Sequence, residues 1–301
     1  MADVKVPPLL DAERLNRRDA GFATALTYGT LRLRGRYDAM IAACTNRPLE
    51  RIDVAVLDVL RLGAHQLMGM RVAQHAAVST TVDLATTSCG RGAATFVNAV
   101  MRRLSGRDLD SWMAVLSRDA PDETAALART QSHPEWIVKA LRQALATHGR
   151  SGDELEALLA ADNADPEVAL CARPGLIAPE ALAKAARKAD RAHDVEPRPG
   201  RISPLAVVMV GGDPGRIEAI RDSRAWVEDE GSQLVALVAA HAPVEGRDAR
   251  WLDLCAGPGG KAALLAARAA QTGAQLLANE VSPHRADLVR SALRAIAPDV
   301  A

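Results

Sequence analysis

Between Trp251 and Leu265 the chain reads WLDLCAGPGGKAALL, a short apolar run, a glycine-rich turn and an alanine–leucine run in direct succession. Three glycines within four residues let the backbone turn sharply, so this stretch reads as a strand, a tight turn and a helix. A second such pair follows. AQLLANE is the strand, and SPHRADLVRSALRAI is a helix with Ser282 and Pro283 in cap and first-turn positions. Strand, glycine turn, helix, strand, helix is the opening of a doubly wound parallel sheet, which makes the C-terminal region α/β. Just ahead of it, DEGSQLVALVAAHA carries acids and a serine before an apolar run, the capping chemistry of a helix N-terminus.

The first hundred residues follow a different period. In RIDVAVLDVLRLGAHQL the positions Ile52, Val56, Val59, Leu60, Gly63 and Leu67 recur at three and four residues, with Arg51, Asp58 and Arg61 on the other face. HAAVSTTVDLA and FVNAVMRRL repeat the pattern across a break at Gly90 and Gly92. Short connections between amphipathic helices predict an all-α bundle. Aromatic residues make up 3% of a chain that is 49% hydrophobic, so the core must be built from leucine, valine, isoleucine and alanine. Further helices are predicted over 106–162, one starting at Pro134 after a Ser132 or His133 cap. PEVALCARPG and PLAVVMVGG then read as short strands around the helical PEALAKAARKA, a small α+β domain over about 165–225.

Charge and cysteine usage narrow the function classes. The chain is neutral overall, yet residues 1–105 hold 14 Lys or Arg against 9 Asp or Glu. That basic half can meet phosphate. Cys44, Cys89, Cys171 and Cys255 form no CxxC pair, which argues against a zinc or dithiol site and, with no signal peptide in view, predicts a cytoplasmic protein. No apolar run reaches the ~20 residues that span a bilayer.

The glycine turn departs from the common nucleotide loops. Ala262 follows Lys261 where a P-loop needs a hydroxyl for magnesium, and Pro258 interrupts a dinucleotide fingerprint. The second strand ends in Glu280, an acid placed to accept the hydroxyls of a ribose. An adenosyl compound with a carboxylate, such as S-adenosylmethionine, fits this pattern better than a dinucleotide. The alternative is a tight turn that binds nothing.

VEDEGSQLVALVAA followed by LDLCAGPGGK closely resembles the Sun/Fmu-type (RsmB-like) ribosomal RNA cytosine-C5 methyltransferases. YGTLRLRGRYDAMIAAC, VLDVLRLGAHQLMGM, HAAVSTTVDLA and FVNAVMRRL resemble the NusB-like helical RNA-binding domain fused to those enzymes, and SHPEWIV their connecting segment. The resemblance runs from about Arg17 to the end. It implies a multidomain α and α/β chain: a NusB-like all-α bundle and RNA-binding domain (1–125), a helical connector with a small α+β domain (126–225), and an incomplete Rossmann-like methyltransferase domain (226–301). Its cofactor is S-adenosyl-L-methionine. Its substrate is a cytosine of 16S (small-subunit) ribosomal RNA, converted to 5-methylcytosine. A monomer without a metal or membrane partner is expected.

Carried over by position, the family's cofactor loop falls on Cys255, Ala256, Gly257, Pro258, Gly259, Gly260 and Lys261. Its ribose-binding acid falls on Glu280, where aspartate is commoner, and its following arginine on Arg285. Carbon 5 of cytosine takes a methyl group after a thiolate has added to carbon 6, and the base must leave its stack to be reached. Cys255 lies in the loop that wraps the methionine end, on the wrong side for that attack, and the family's cysteines lie in later strands, one after a proline. No Pro-Cys dipeptide occurs here. The chain therefore reads as C-terminally truncated and inactive alone, with unprotected strand edges that predict instability of residues 226–301. It also enters the helical pattern late, through MADVKVPPLLDAERLNRRD. Candidate RNA contacts are Arg14, Arg17, Arg18, Arg32, Arg34 and Arg36. The competing reading is a non-catalytic NusB-like module that binds RNA or a transcription or ribosome partner.

Overall fold

A computed structural model describes residue 9 and residues 13–164, 167–189, 196–209 and 212–301. They fall into two compact units, Met1–Ala164 and Asp165–Ala301.

The described residues of the first unit are helical: α1 (Arg17–Arg32), α2 (Arg34–Ala43), α3 (Val54–Met68), α4 (Gln74–Cys89), α5 (Arg91–Leu104), α6 (Leu109–Arg118), α7 (Glu123–Thr130), α8 (Glu135–Thr147) and α9 (Glu154–Asp162). The predicted apolar stripe of α3 faces inward, with Val56, Val59 and Leu60 buried against Tyr37, Met40, Val97, Met101 and Leu104. Gly63 has no room for a side chain, because a Cβ there would lie 2.7 Å from Met101 and Thr81. Gly90, at φ +90°, ends α4 and starts α5, a backbone that glycine adopts without strain. Across the bundle Arg61 donates to both carboxylate oxygens of Asp38, at 2.7 and 2.8 Å, a paired geometry that fixes α3 against α2.

One predicted cap takes another role. Pro134 itself occupies the cap position of α8, and neither Ser132 nor His133 caps it. Ser132 adopts a left-handed conformation, φ +55°. Its hydroxyl accepts from the Gly35 amide at 3.0 Å and donates to the Arg32 carbonyl at 3.1 Å. The side chain thus serves the joint between α1 and α2 almost a hundred residues earlier.

The second unit holds two sheets. β1 (Val168–Ala172), β2 (Arg198–Pro199), β3 (Ala206–Met209) and β4 (Ala225–Val227) form an antiparallel sheet in the order β2-β3-β1-β4, with Leu170 opposite Val207 and Val227. Helix α10 (Pro179–Ala189) covers it through Leu182 and Ala186. The short α11 (Glu218–Arg221) leads into β4. After α12 (Glu230–Ala240) comes the strand–turn–helix read from the sequence: β5 (Arg250–Asp253), α13 (Gly260–Thr272), β6 (Gln275–Ala278) and α14 (Pro283–Leu293). β5 and β6 pair in parallel, Trp251 opposite Leu276 and Asp253 opposite Ala278. An alanine face of α13 (Ala262, Ala266, Ala267) packs with Leu276 of β6, Val289 of α14 and Ile296. This is a partial Rossmann-like arrangement.

The cap of α12 is Asp229, whose carboxylate accepts from the amides of Gly231 and Ser232. Ser232 lies inside the helix.

Candidate functional site

The turn between β5 and α13 is built by backbone and closed by Glu280. Ala256 donates its amide to the Asn279 carbonyl at 2.9 Å, which continues the β5–β6 pairing past the end of the strands. Gly257 then donates to Glu280 Oε2 at 3.1 Å, while Glu280 Oε1 accepts from the Ser282 amide at 2.9 Å. The Glu280 side chain is 6% exposed, and Arg285 Nε lies 3.5 Å from it. Arg285 also donates to the Gly257 carbonyl at 2.5 Å. The Ser282 amide, the Arg285 guanidinium and the Gly257 amide hold the Glu280 carboxyl below the usual carboxylate range. Oε2 thus faces both the Gly257 amide and the Arg285 guanidinium, and Oε1 the Ser282 amide.

Two of the glycines are required by space. A Cβ on Gly257 would lie 2.2 Å from Glu280 Oε2 and 2.8 Å from Arg285 Nε. Gly259 sits at φ +115°, and a Cβ there would lie 2.6 Å from Ala292 and 3.1 Å from Val289. It caps α13 with no side-chain hydrogen bond, so the first amides of a 13-residue helix stay open to an anion. Around this turn Cys255, Pro258 and Lys261 are exposed, Gly260 is half-buried, and Ala256 and Gly259 are buried. The Cys255 amide donates to Asp253 Oδ1 at 3.1 Å.

Beside the first turn of α13 lies a carboxylate that the sequence reading passed over. Glu228 is 7% exposed, and neither carboxylate oxygen has a hydrogen-bond partner. A Cβ on Gly260 would lie 3.3 Å from its Cδ and Oε1. Burial pushes this carboxyl up to about 7, against the pull of Lys261 and Arg173 and with the help of Asp229. Arg173, 1% exposed, is anchored elsewhere, on the carbonyls of Ser223 and Ala292 and over the Trp226 ring. Burial lowers its guanidinium to about 10. Glu228 stands among polar residues, Glu-Asp-Glu, that read as a solvated helix start, and its burial is a tertiary fact with no local signature.

The structure thus brings Cys255–Lys261, Glu280 and Arg285 together. Among the described residues it assembles no comparable cluster from the arginines of the helical unit. Arg14 (φ +52°), Arg18 and Arg34 are exposed, and Arg32 is half-buried. The Arg17 side chain lies outside the described residues. Arg36 is half-buried, donates through Nε to the Thr130 carbonyl at 2.7 Å, and has its guanidinium lowered by burial. It ties α2 to α7.

The cysteines separate along the same lines. Cys44 and Cys171 are buried, Cys89 is half-buried and Cys255 is exposed. Burial pushes the Cys44 thiol up to about 11 and the Cys171 thiol further, so neither is a nucleophile at neutral pH.

The geometry fits an S-adenosyl ligand: a cradle at Gly257 that a side chain would fill, an acid at the end of β6, open helix amides and an unpartnered buried carboxylate. Among the described residues no group of His, Cys, Asp and Glu is assembled that could hold a metal ion. No described helix is long and apolar enough to cross a membrane.

Comparison with known proteins finds two family matches and several relatives. Residues 2–106 match the NusB family, and residues 239–299 match 16S rRNA methyltransferase RsmB/F. The Mycobacterium tuberculosis (H37Rv) protein Rv1407, which carries methyltransferase in its name, is 48% identical over 98% of the chain and 62% of its own length. Ribosomal RNA small subunit methyltransferase B of Pseudomonas putida is 31% identical over 85% of the chain and 53% of its own length. The chain therefore spans between half and two thirds of these relatives. The crystal structure of PH0851 superposes with a TM-score of 0.69 at 14% identity, over 95% of the chain and 60% of that protein, a likeness of fold.

Proposed function

Since the chain joins a NusB-family domain to an RsmB/F-type rRNA methyltransferase domain, we propose that it serves S-adenosylmethionine-dependent methylation of carbon 5 of a cytosine in small-subunit ribosomal RNA. Residues 1–125 contact the RNA in this proposal, residues 226–301 hold the cofactor, and residues 126–225 lie between them in the chain. The observation that carries it is the Gly257–Lys261 turn from β5 into α13, at the end of the parallel β5–β6 pair and closed by Glu280 and Arg285. The bound cofactor supplies an electrophilic methyl group. Glu280, at the end of β6, takes ribose hydroxyls. The open amides of α13 and the Lys261 ammonium take the ligand's carboxylate. Arg285 holds the Gly257 carbonyl and so keeps the loop in shape. The exposed arginines Arg14, Arg18 and Arg34, with Arg17 and Arg32, supply charge for phosphate, while Arg36 positions α2.

The thiolate that adds to carbon 6 of the base is not assigned to any of the four cysteines. Two are buried and raised, Cys89 belongs to the helical unit, and Cys255 lies in the cofactor loop. Residues 1–301 by themselves are expected to bind cofactor without transferring methyl. The same cysteine placement favours a second reading, a non-catalytic module that binds ribosomal RNA or a transcription or ribosome partner through the NusB-like domain.

Calorimetric titration with S-adenosylmethionine tests the proposal. A single site is expected, weakened at least tenfold in Lys261→Ala, which removes an exposed side chain without disturbing the turn. Absence of binding to the folded chain would leave the second reading.

A further inference from the structure

Three consecutive acids precede and open α12, and the structure treats them differently. Asp229 accepts from the amides of Gly231 and Ser232. Glu230 accepts from the amides of Ile202 and Ser203, at 2.9 and 3.0 Å. Glu228 is the most deeply buried of the three, and both of its oxygens lack a partner. A buried carboxylate without donors is costly, and buried polar groups in folded proteins are almost always satisfied.

Its surroundings say what is missing. The carboxylate lies against Gly260, at the open N-terminus of α13. The cations that act on it are Lys261 and Arg173, and Asp229 acts against them. None donates a hydrogen bond to it: Arg173 spends Nη1 on the carbonyls of Ser223 and Ala292 and lies over the Trp226 ring, and its Nη2 has no partner either. A helix N-terminus with a lysine attracts an anion, whereas an unpartnered carboxylate beside it requires a donor, best a cation. Two opposite demands a few ångströms apart match one ligand group that carries both charges, the α-amino-acid end of a small molecule.

We infer that Glu228 is a ligand-binding residue whose carboxylate takes the α-ammonium group of an amino-acid-bearing ligand, while the first amides of α13 and Lys261 take that ligand's carboxylate. The assignment rests on the reading of the glycine turn as an S-adenosyl site and deepens it. The turn discriminates ligands by the amino-acid end and not by the adenosine alone. The raised carboxyl of Glu228 agrees with a group that gains its counter-charge when the ligand arrives.

The test uses the full chain and two probes. S-adenosylhomocysteine carries the amino-acid end, and 5′-methylthioadenosine lacks it. Glu228→Gln keeps the shape, removes the charge, and is expected to fold at least as well as the parent. It should weaken S-adenosylhomocysteine about 30-fold, the effect of one charge-assisted hydrogen bond, and leave methylthioadenosine unchanged. Equal affinity of parent and variant for S-adenosylhomocysteine would overturn the inference and leave the cofactor reading standing. Parallel weakening of both probes would also overturn it, since Glu228 would then shape the site as a whole. A parent chain that binds neither probe would overturn the cofactor reading and this inference with it.

Discussion

The core of the helical unit and the β5–β6 segment differ in how far they enclose their apolar side chains. In the bundle Tyr37, Met40, Leu60, Met101 and Leu104 are completely enclosed, because helices meet on all sides of one core. Around the parallel pair, α13 and α14 seal one face with alanines and Val289. Leu252, Leu254, Leu277 and Val281 remain 57, 65, 68 and 93% exposed. Parallel strands are ordinarily covered on both faces. The bundle therefore owes its stability to burial, while the segment around the glycine turn is held by one packed face and by backbone bonds to Glu280 and Asn279.

The contrast can be broken most strongly in the bundle. Leu60→Ala should destabilise the helical unit by about 4 kcal/mol, read as faster hydrogen exchange through α3 and α5, with exchange in β5 and β6 unaltered. Gly259→Val forces a β-branched residue to φ +115° against Ala292 and Val289. A cost of about 3 kcal/mol confined to α13 and α14 is expected, together with loss of S-adenosylmethionine binding in calorimetry.

Glu228 offers a pH-dependent version of the same comparison. Burial raises its carboxyl from 4.5 to about 7, so the folded chain keeps a proton there that the unfolded chain has released. The contribution is fully present below about pH 4.5 and is lost as pH rises through about 7. Lys261, Arg173 and Asp229 are the charged groups acting on it. Glu228→Gln should therefore leave stability unchanged near pH 4 and raise that of the second unit by roughly 2 kcal/mol at pH 8, measured by denaturant unfolding. The smallest effect belongs to the open face. Leu277→Ser should change stability by less than about 0.5 kcal/mol while lowering aggregation in light scattering. A cost of several kcal/mol would mean that the face is covered in solution.

What was legible in the sequence was whatever depends on near neighbours. The period of three and four through Val56, Val59 and Leu60 placed α3 and its inner face, and Gly90 placed the break after α4. Glycine spacing at 257, 259 and 260 located the turn. Glu280, just after the next strand, falls beside it because β5 and β6 pair in parallel and end level, Asp253 opposite Ala278, with Ala256 bonded to Asn279 just beyond. The remainder depends on contacts between distant segments. Ser132 looks like a cap for α8 and caps nothing nearby, because its left-handed backbone turns the hydroxyl toward Gly35 and Arg32. Arg36 looks like a free surface cation until Thr130 is seen to accept from it. Glu228, in a run of three acids, has no local feature that distinguishes it from the two that bind backbone amides.

The most direct measurement of the central claim is residue-resolved hydrogen exchange of the full chain with and without S-adenosylmethionine. Slower exchange at the amides of Cys255–Lys261 and around Glu280, with the helical unit unchanged, is the predicted result. Unchanged exchange in that turn at a saturating concentration, or protection confined to the helical unit, would contradict it.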